Sequence, residues 1–265
     1  MNIQSLYFSP TGGTKKIIRK VAEETGLQME EPIDLTRPTV RGEFSGEVDG
    51  DLLLVGTAVY EGSVPSMILE SLNRLKGQGK WAVPIAVYGT RSPEACLEEL
   101  PGRLRTRGFK ILAGANFVAE HSYAHDEAPA GRGRPNDEDK KAAAELGKKI
   151  ALKIGEGAAE APIESKPLKN GENYMRDEWP ENRVKNLIMA PGHDEGKCIN
   201  CDKCVESCPM AAISPETYTI DDSACMRCTA CVRVCPTNAK TISFPERVTQ
   251  FINTWEKNKT PEIFI

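Results

Sequence analysis

The sequence predicts an α/β chain in two parts: a doubly wound, five-stranded parallel sheet over residues 1–155, then a small α+β unit over 190–245. Three observations carry that reading. Apolar strand-like runs alternate with helical patterns through the first half. A loop rich in glycine and hydroxyls joins the first run to the first helix. Eight of the nine cysteines fall between Cys198 and Cys235.

Residues 3–8, Ile-Gln-Ser-Leu-Tyr-Phe, alternate as a strand does and run into Ser9-Pro10-Thr11-Gly12-Gly13-Thr14. Ile17, Ile18, Val21 and Ala22 then share one helical face. Strand, loop and helix N-terminus in that order make a phosphate-binding arrangement, because glycines admit the backbone and the helix end offers unpaired N–H groups. The loop is neither a Walker A motif nor a G-x-G-x-x-G fingerprint. The plain alternative is a tight turn with Thr14 as N-cap. A weaker strand is expected near 29–34, and further strands at 51–57, 81–88 and 110–118. Helices are expected at 64–75, 92–106 and 137–154, the last capped by Asn136. In such a sheet, ligands sit beyond the carboxyl ends of the strands. The loops converging there are 9–14, Thr57-Ala58-Val59-Tyr60-Glu61-Gly62 and Tyr88-Gly89-Thr90-Arg91.

Residues 119–135 form a long loop, and loops beyond about 12–15 residues are functional or disordered. The preferred reading is a mobile surface loop with solvated His121 and His125; the alternative has His121, Tyr123 and His125 covering a ligand. Arg132 and Arg134 read as a solvated turn, and Cys96 as a small core hydrophobe. Residues 156–189 are expected to be a linker, with Tyr174 and Trp179 able to pin part of it. Val248, Phe251, Ile252 and Trp255 place one apolar stripe on a helix within the 246–265 tail, expected to bury against a domain.

The cysteines form two runs, Cys198-x2-Cys201-x2-Cys204-x3-Cys208-Pro209 and Cys225-x2-Cys228-x2-Cys231-x3-Cys235-Pro236, offset by 27 residues. This spacing is that of paired [4Fe–4S] clusters, in which the fourth cysteine of each run ligates the other cluster. One set is then Cys198, Cys201, Cys204 and Cys235; the other is Cys225, Cys228, Cys231 and Cys208. Disulfides need an oxidising compartment that nothing in the sequence implies. Zinc sites pair two CxxC units rather than presenting three ligands in tandem twice. With four cysteines per cluster no iron is left open, which favours electron transfer over chemistry at the metal.

Hydrophobic residues at 40% and charged residues at 27% exclude a disordered chain. A net charge of -4 argues against nucleic acid as a partner. No apolar run nears the roughly 20 residues of a membrane helix, and MNIQSLYFSP lacks a secretory signal's basic lead. A cytoplasmic location is expected.

The second part resembles a bacterial ferredoxin with two [4Fe–4S] clusters. Ser9, Thr11, Gly12, Gly13 and Thr14 match the [ST]-x-T-G-x-T phosphate loop of the flavodoxin family, which residues 1–155 resemble. That resemblance implies bound FMN, with Tyr60 of Thr57-Ala58-Val59-Tyr60 stacking on the isoalloxazine and Tyr88-Gly89-Thr90-Arg91 at its edge. An empty flavodoxin-like domain is the alternative. The whole chain is similar to the flavodoxin–ferredoxin fusion proteins of anaerobes, which implies electron transfer among the clusters, FMN and an external protein redox partner. A reductase of a small organic acceptor, using His121, Tyr123, His125 and Arg91, is the enzyme alternative. A redox-dependent docking module is a third. No second nucleotide fingerprint supports a pyridine-nucleotide enzyme. Seven acidic and five basic residues in 190–245 leave too little charge to select a partner.

Overall fold

The computed structural model describes residues 1–164, 183–256 and 258–265. Its first unit comprises β1 (Asn2–Phe8), α1 (Gly13–Glu24), β2 (Gln28–Met29), β3 (Ile33–Asp34), α2 (Pro38–Glu43), β4 (Leu52–Ala58) and α3 (Ser66–Arg74). It continues through β5 (Trp81–Tyr88), α4 (Cys96–Thr106), β6 (Lys110–Ile111), β7 (Gly114–Val118) and α5 (Asp137–Gly155). The remainder holds α6 (Arg183–Leu187), β8 (Gly192–His193), α7 (Lys203–Glu206), α8 (Ala230–Val234), β9 (Lys240–Thr241), α9 (Glu246–Asn253) and β10 (Glu262–Phe264).

β2 and β3 both pair with β1, and β6 and β7 both pair with β5, so each couple forms one interrupted strand. The parallel sheet therefore runs β2/β3, β1, β4, β5, β6/β7, which is the doubly wound order 2-1-3-4-5 of flavodoxin-like sheets. Leu52, Leu53, Leu54 and Val55 of β4 are all buried, because a central parallel strand is covered on both faces. Ile17, Val21, Leu146 and Ile150 from α1 and α5 cover one face. Ile68, Leu72, Leu100 and Leu104 from α3 and α4 cover the other. Cys96 is fully buried there and burial pushes its thiol well up, consistent with an inert core residue.

The sheet is not limited to five parallel strands. β10, from the expected tail, returns to pair antiparallel with β7 through Ile263↔Ala115. Three residues are too few for a periodic signal, which is why the sequence does not announce this strand. The expected linker also begins bound: Ala161 and Ile163 are buried in the second core, and the Ala161 N–H donates to Ile111 O at 2.8 Å. Tyr174 and Trp179 lie outside the described residues.

A third apolar cluster joins the two units. Ala128 and Ala130 of the 119–135 loop pack with Ile188 and with Val248 and Ile252 of α9. The apolar stripe of α9 is thus covered in part, while Phe251 remains half exposed. Among the described residues no helix is long and apolar enough to cross a membrane.

Candidate functional site

The carboxyl ends of β1, β4, β5 and β7 deliver four loops to one edge of the sheet. At the first, Gly12 takes a left-handed conformation (φ 85°) and is the N-cap of α1, so Thr14 is a helical residue rather than the cap. The Ser9 hydroxyl accepts from the Lys15 N–H at 3.0 Å, and Gly12 N–H donates to Ser9 O. Among the described residues no acceptor faces the N–H groups of Thr11, Gly13 and Thr14. A Cβ on Gly13 would come within 2.8 Å of Ala119 Cβ, so only glycine lets the loop close against β7's exit.

The second loop turns tightly at Glu61 and Gly62, both at positive φ, with Tyr60 and Ser63 bridged across it. A buried carboxylate pegs it from behind. Glu99 accepts from the Ser63 hydroxyl, from Val64 N–H at 3.0 Å, and from Arg103 Nε at 2.8 Å. Tyr60 meets Phe8 edge-on at 6.3 Å, and its hydroxyl lies 3.4 Å from Ser122 Oγ. Burial, then the Cys228 sulfur, raises that phenol well above its ordinary pKa.

At the third loop the Arg91 guanidinium pairs with Glu94 at 2.8 Å and stands 5.9 Å over the Phe251 ring. Thr90 (φ 65°) buries a hydroxyl that meets no partner among the described residues. Gly89 is pressed against His121, whose Cα would lie 2.7 Å from an added Cβ.

These loops enclose a cavity of about 640 Å³, within the usual range for cofactor sites. Ser9, Thr11, Gly13, Thr14, Ala58, Val59, Tyr60, Tyr88, Gly89 and Arg91 all line it. Gly12, Thr57 and Thr90 do not. Part of the wall comes from the cysteine runs: Met210 follows Cys208-Pro209, while Ala224 and Met226 flank Cys225. Nothing in the sequence signals this shared wall, because its parts come from segments far apart in the chain.

The 119–135 loop is not a mobile surface loop. His121 and Tyr123 line the cavity, and His121 packs edge-on against Trp255 at 4.8 Å. Burial, then Arg233 and Arg91, holds the His121 pKa down at about 4. His125 faces away, stacking on Phe244 at 4.9 Å with Nε2 3.2 Å from Thr249 Oγ1. Arg134 is not solvated either: Nε donates to Asp139 at 2.8 Å and Nη1 to Lys259 O at 2.6 Å. Asp139 in turn completes the capping box with Asn136 that starts α5, as expected. Arg132 is the exposed member, paired with Asp126.

The loop is also fastened to the second cysteine run. Thr229 Oγ1 donates to Ser122 O at 2.8 Å, and Arg233 pairs with Glu120 at 2.7 Å while donating to His121 O. From the opposite side Arg41 donates to Pro209 O.

Cys198, Cys201, Cys204 and Cys235 line one small cavity, with Lys240 and Tyr218. Cys208 lies within electrostatic range of Cys228 and Cys231, as does Cys225. Burial pushes the Cys228 and Cys231 thiols up to about 12, whereas Cys201 is exposed. Burial would also raise Cys235, but N–H donation from Lys240, Thr237 and Ala239 outweighs it and lowers that thiol. The 27-residue repeat extends to the backbone. Asn200 and Arg227, Asp202 and Thr229, and Ala211 and Asn238 all hold positive φ. Non-glycine residues adopt that region at a cost of order 1 kcal/mol each, and here it turns backbone N–H groups toward the sulfurs. Ala212 N–H donates to Cys208 Sγ at 3.3 Å, and Ala239 N–H to Cys235 Sγ at 3.2 Å. Sulfurs that accept backbone N–H bonds, as Cys208 and Cys235 do, and four cysteines lining one cavity are the kind of donors a cubane cluster takes.

Comparison with known proteins agrees with that chemistry. Residues 197–239 match the 4Fe-4S dicluster domain. A curated relative, one component of the ion-translocating oxidoreductase complex of Sodalis glossinidius, is 36% identical over 74 residues, 28% of this chain. The chain spans about a third (32%) of that relative's length. Among solved structures, a flavodoxin from the domain Archaea is 16% identical with a TM-score of 0.40, covering 58% of this chain and 99% of that one. The flavodoxin of Streptococcus pneumonia TIGR4 is 18% identical with a TM-score of 0.41 over the same shares. The oxidised Flavodoxin 2 of Bacillus cereus is 15% identical with a TM-score of 0.43, again over 58% and 99%. By its strand order and its cysteine runs, the chain joins a flavodoxin-like α/β sheet to a ferredoxin-type dicluster domain.

Proposed function

We propose that the chain is an electron-transfer protein of the flavodoxin–ferredoxin fusion type, moving electrons between two [4Fe–4S] clusters and FMN and exchanging them with a protein redox partner. The observation that carries this reading is the shared cavity: the wall that would face the flavin contains Ala224 and Met226, the neighbours of Cys225. When bound, FMN takes up one or two electrons, whereas each cluster passes one at a time.

The chain's own residues have separable tasks. Ser9, Thr11, Gly13 and Thr14, with Gly12 shaping the turn, hold the phosphate through the Ser9 hydroxyl and through the N–H groups of Thr11, Gly13 and Thr14, which meet no acceptor among the described residues. Tyr60 supplies the stacking face, held in place by Glu99; Ala58, Val59, Tyr88, Gly89 and Arg91 close the ring site, backed by Thr57 and Thr90. Cys225, Cys228, Cys231 and Cys208 hold the cluster beside the flavin. Cys198, Cys201, Cys204 and Cys235 hold the other, whose exposed Cys201 and Ile199 offer the edge at which a partner exchanges electrons. Thr229 and Arg233 clamp the 119–123 segment so that the cavity stays closed to bulk water at that seam.

Anaerobic purification followed by absorption spectroscopy and cofactor analysis tests this. The reading predicts one FMN per chain over a broad iron–sulfur background. Iron–sulfur absorbance with no flavin, even after FMN is added back, overturns it and leaves the first unit an empty docking domain. A reductase of a small organic acceptor is a second reading, favoured by His121, Tyr123 and Arg91 in the cavity wall. Unchanged turnover of every tested acceptor in His121→Gln counts against it.

A further inference from the structure

The 27-residue repeat holds so closely between the two cysteine runs that the place where it breaks is informative. Positive-φ positions and N–H···S bonds recur in both halves up to Ala212 and Ala239. The next residue is Ile213 in the first half and Lys240 in the second. Lys240 is only 2% exposed, with its Nζ donating to the Tyr218 carbonyl. Among the described residues no carboxylate lies within ion-pair distance of it, and the nearby Asp202 accepts from the Tyr218 hydroxyl at 2.8 Å. It lines the cavity of Cys198, Cys201, Cys204 and Cys235, and its charge is felt by Cys204 of that set and also by Cys231 of the other. An unpaired ammonium in the interior is destabilising unless a negative group compensates it. A four-thiolate cubane beside it is such a group.

We propose that Lys240 is a tuning residue, whose buried charge raises the reduction potential of the cluster on Cys198, Cys201, Cys204 and Cys235 above that of its neighbour. This rests on the ligand assignment proposed above. Reduction places one electron, supplied by an external one-electron reductant, on the cluster. No bond is made or broken, no proton is taken up, and the cluster gains one negative charge. A fixed cation in low dielectric stabilises that added charge. Ile213, at the matching place in the other half, supplies nothing equivalent. The pair is thereby ordered. The outward cluster becomes the favoured seat for an electron, and the cluster against the flavin cavity becomes the lower-potential relay.

The test is a potentiometric titration of the anaerobic holoprotein followed by electron paramagnetic resonance, with iron analysis of every sample. The native protein is expected to show two resolved one-electron couples. In Lys240→Gln, which keeps a donor for Tyr218 O, the upper couple falls by at least about tenfold in its reduction equilibrium, about 59 mV for one electron. Lys240→Arg, which keeps the charge, stays within roughly half that shift. A Lys240→Gln protein with both cubanes intact and both couples unmoved overturns the proposal, as does movement of the lower couple alone. Iron in the native protein short of two cubanes overturns the ligand assignment itself, a result distinguishable from failure of the tuning role. Where Lys240→Gln does not retain its iron, Ile213→Lys decides. It is expected to raise the lower couple toward the upper, and an unmoved lower couple overturns the proposal.

Discussion

Replacing Glu99 with Gln is expected to loosen the second cavity loop and to destabilise the first unit by about 3–5 kcal/mol. Glu99 is fully buried on α4, and Arg103, one turn on, is nearly so. Arg103 Nε and Nη2 donate to Oε1 at 2.8 and 2.7 Å, while Oε2 takes the Ser63 hydroxyl and the Val64 N–H. A glutamine fills the same space but removes the charge and turns an NH2 group toward one set of donors. Arg103 then loses the Glu99 carboxylate, and breaking a buried pair by removing one member costs about 3–5 kcal/mol. For a unit of this size that is roughly 6–20 °C in melting temperature. FMN affinity should fall with it, because Ser63 and Val64 directly follow the turn that presents Tyr60. Thermal unfolding followed by circular dichroism and flavin titration by fluorescence measure the two effects. The double replacement Glu99→Met with Arg103→Met should cost less than Glu99→Gln, since it removes both members of the buried pair together. A Glu99→Gln protein melting within about 3 °C of native would refute the pegging argument.

Other expectations follow from the same geometry. Gly89→Ala should drive the added Cβ against the His121 backbone and weaken FMN binding tenfold or more, and an unchanged dissociation constant would contradict the packing described. His121 titrates at about 4 when folded against about 6.5 unfolded, so the unfolded chain binds the proton first as pH falls. Stability should drop between pH 6.5 and 4 by at most about 3 kcal/mol, then level off. Melting curves of His121→Gln should lack that component. Arg233→Met removes a half-exposed pair with Glu120 and should cost at most about 1 kcal/mol. It should nevertheless slow electron passage between cluster and flavin at least twofold by stopped flow, because it also removes the Arg233 donor from His121 O and leaves Ser122 O to Thr229 alone. Equal rates would mean that the clamp does not set the distance.

Much of this molecule was legible from residue patterns. Leu52–Val55 and Trp81–Tyr88 read as buried parallel strands because both faces of a central strand are covered, and the doubly wound order follows from their alternation with helices. The two cysteine runs stated their own repeat. What was hidden depended on contacts between segments far apart in the chain. β10 is too short to carry a period, and its place beside β7 is set by pairing alone. His125 and Arg134 read as solvated because nothing local reveals Thr249 of α9 beside His125 or the Lys259 carbonyl that accepts from Arg134. Lys240 lies four residues beyond Pro236, where no spacing marks it. Only its burial against Tyr218 and the cysteine cavity gives it a role.

The central claim is that electrons cross between the clusters and the flavin within one molecule. The most direct measurement is anaerobic rapid mixing of the oxidised holoprotein with a one-electron reductant, following cluster and flavin absorbance separately over a range of protein concentrations. The account predicts cluster bleaching first, then flavin bleaching at a rate independent of protein concentration. Clusters that stay reduced beside an oxidised flavin, or a flavin rate that scales with protein concentration, would contradict it.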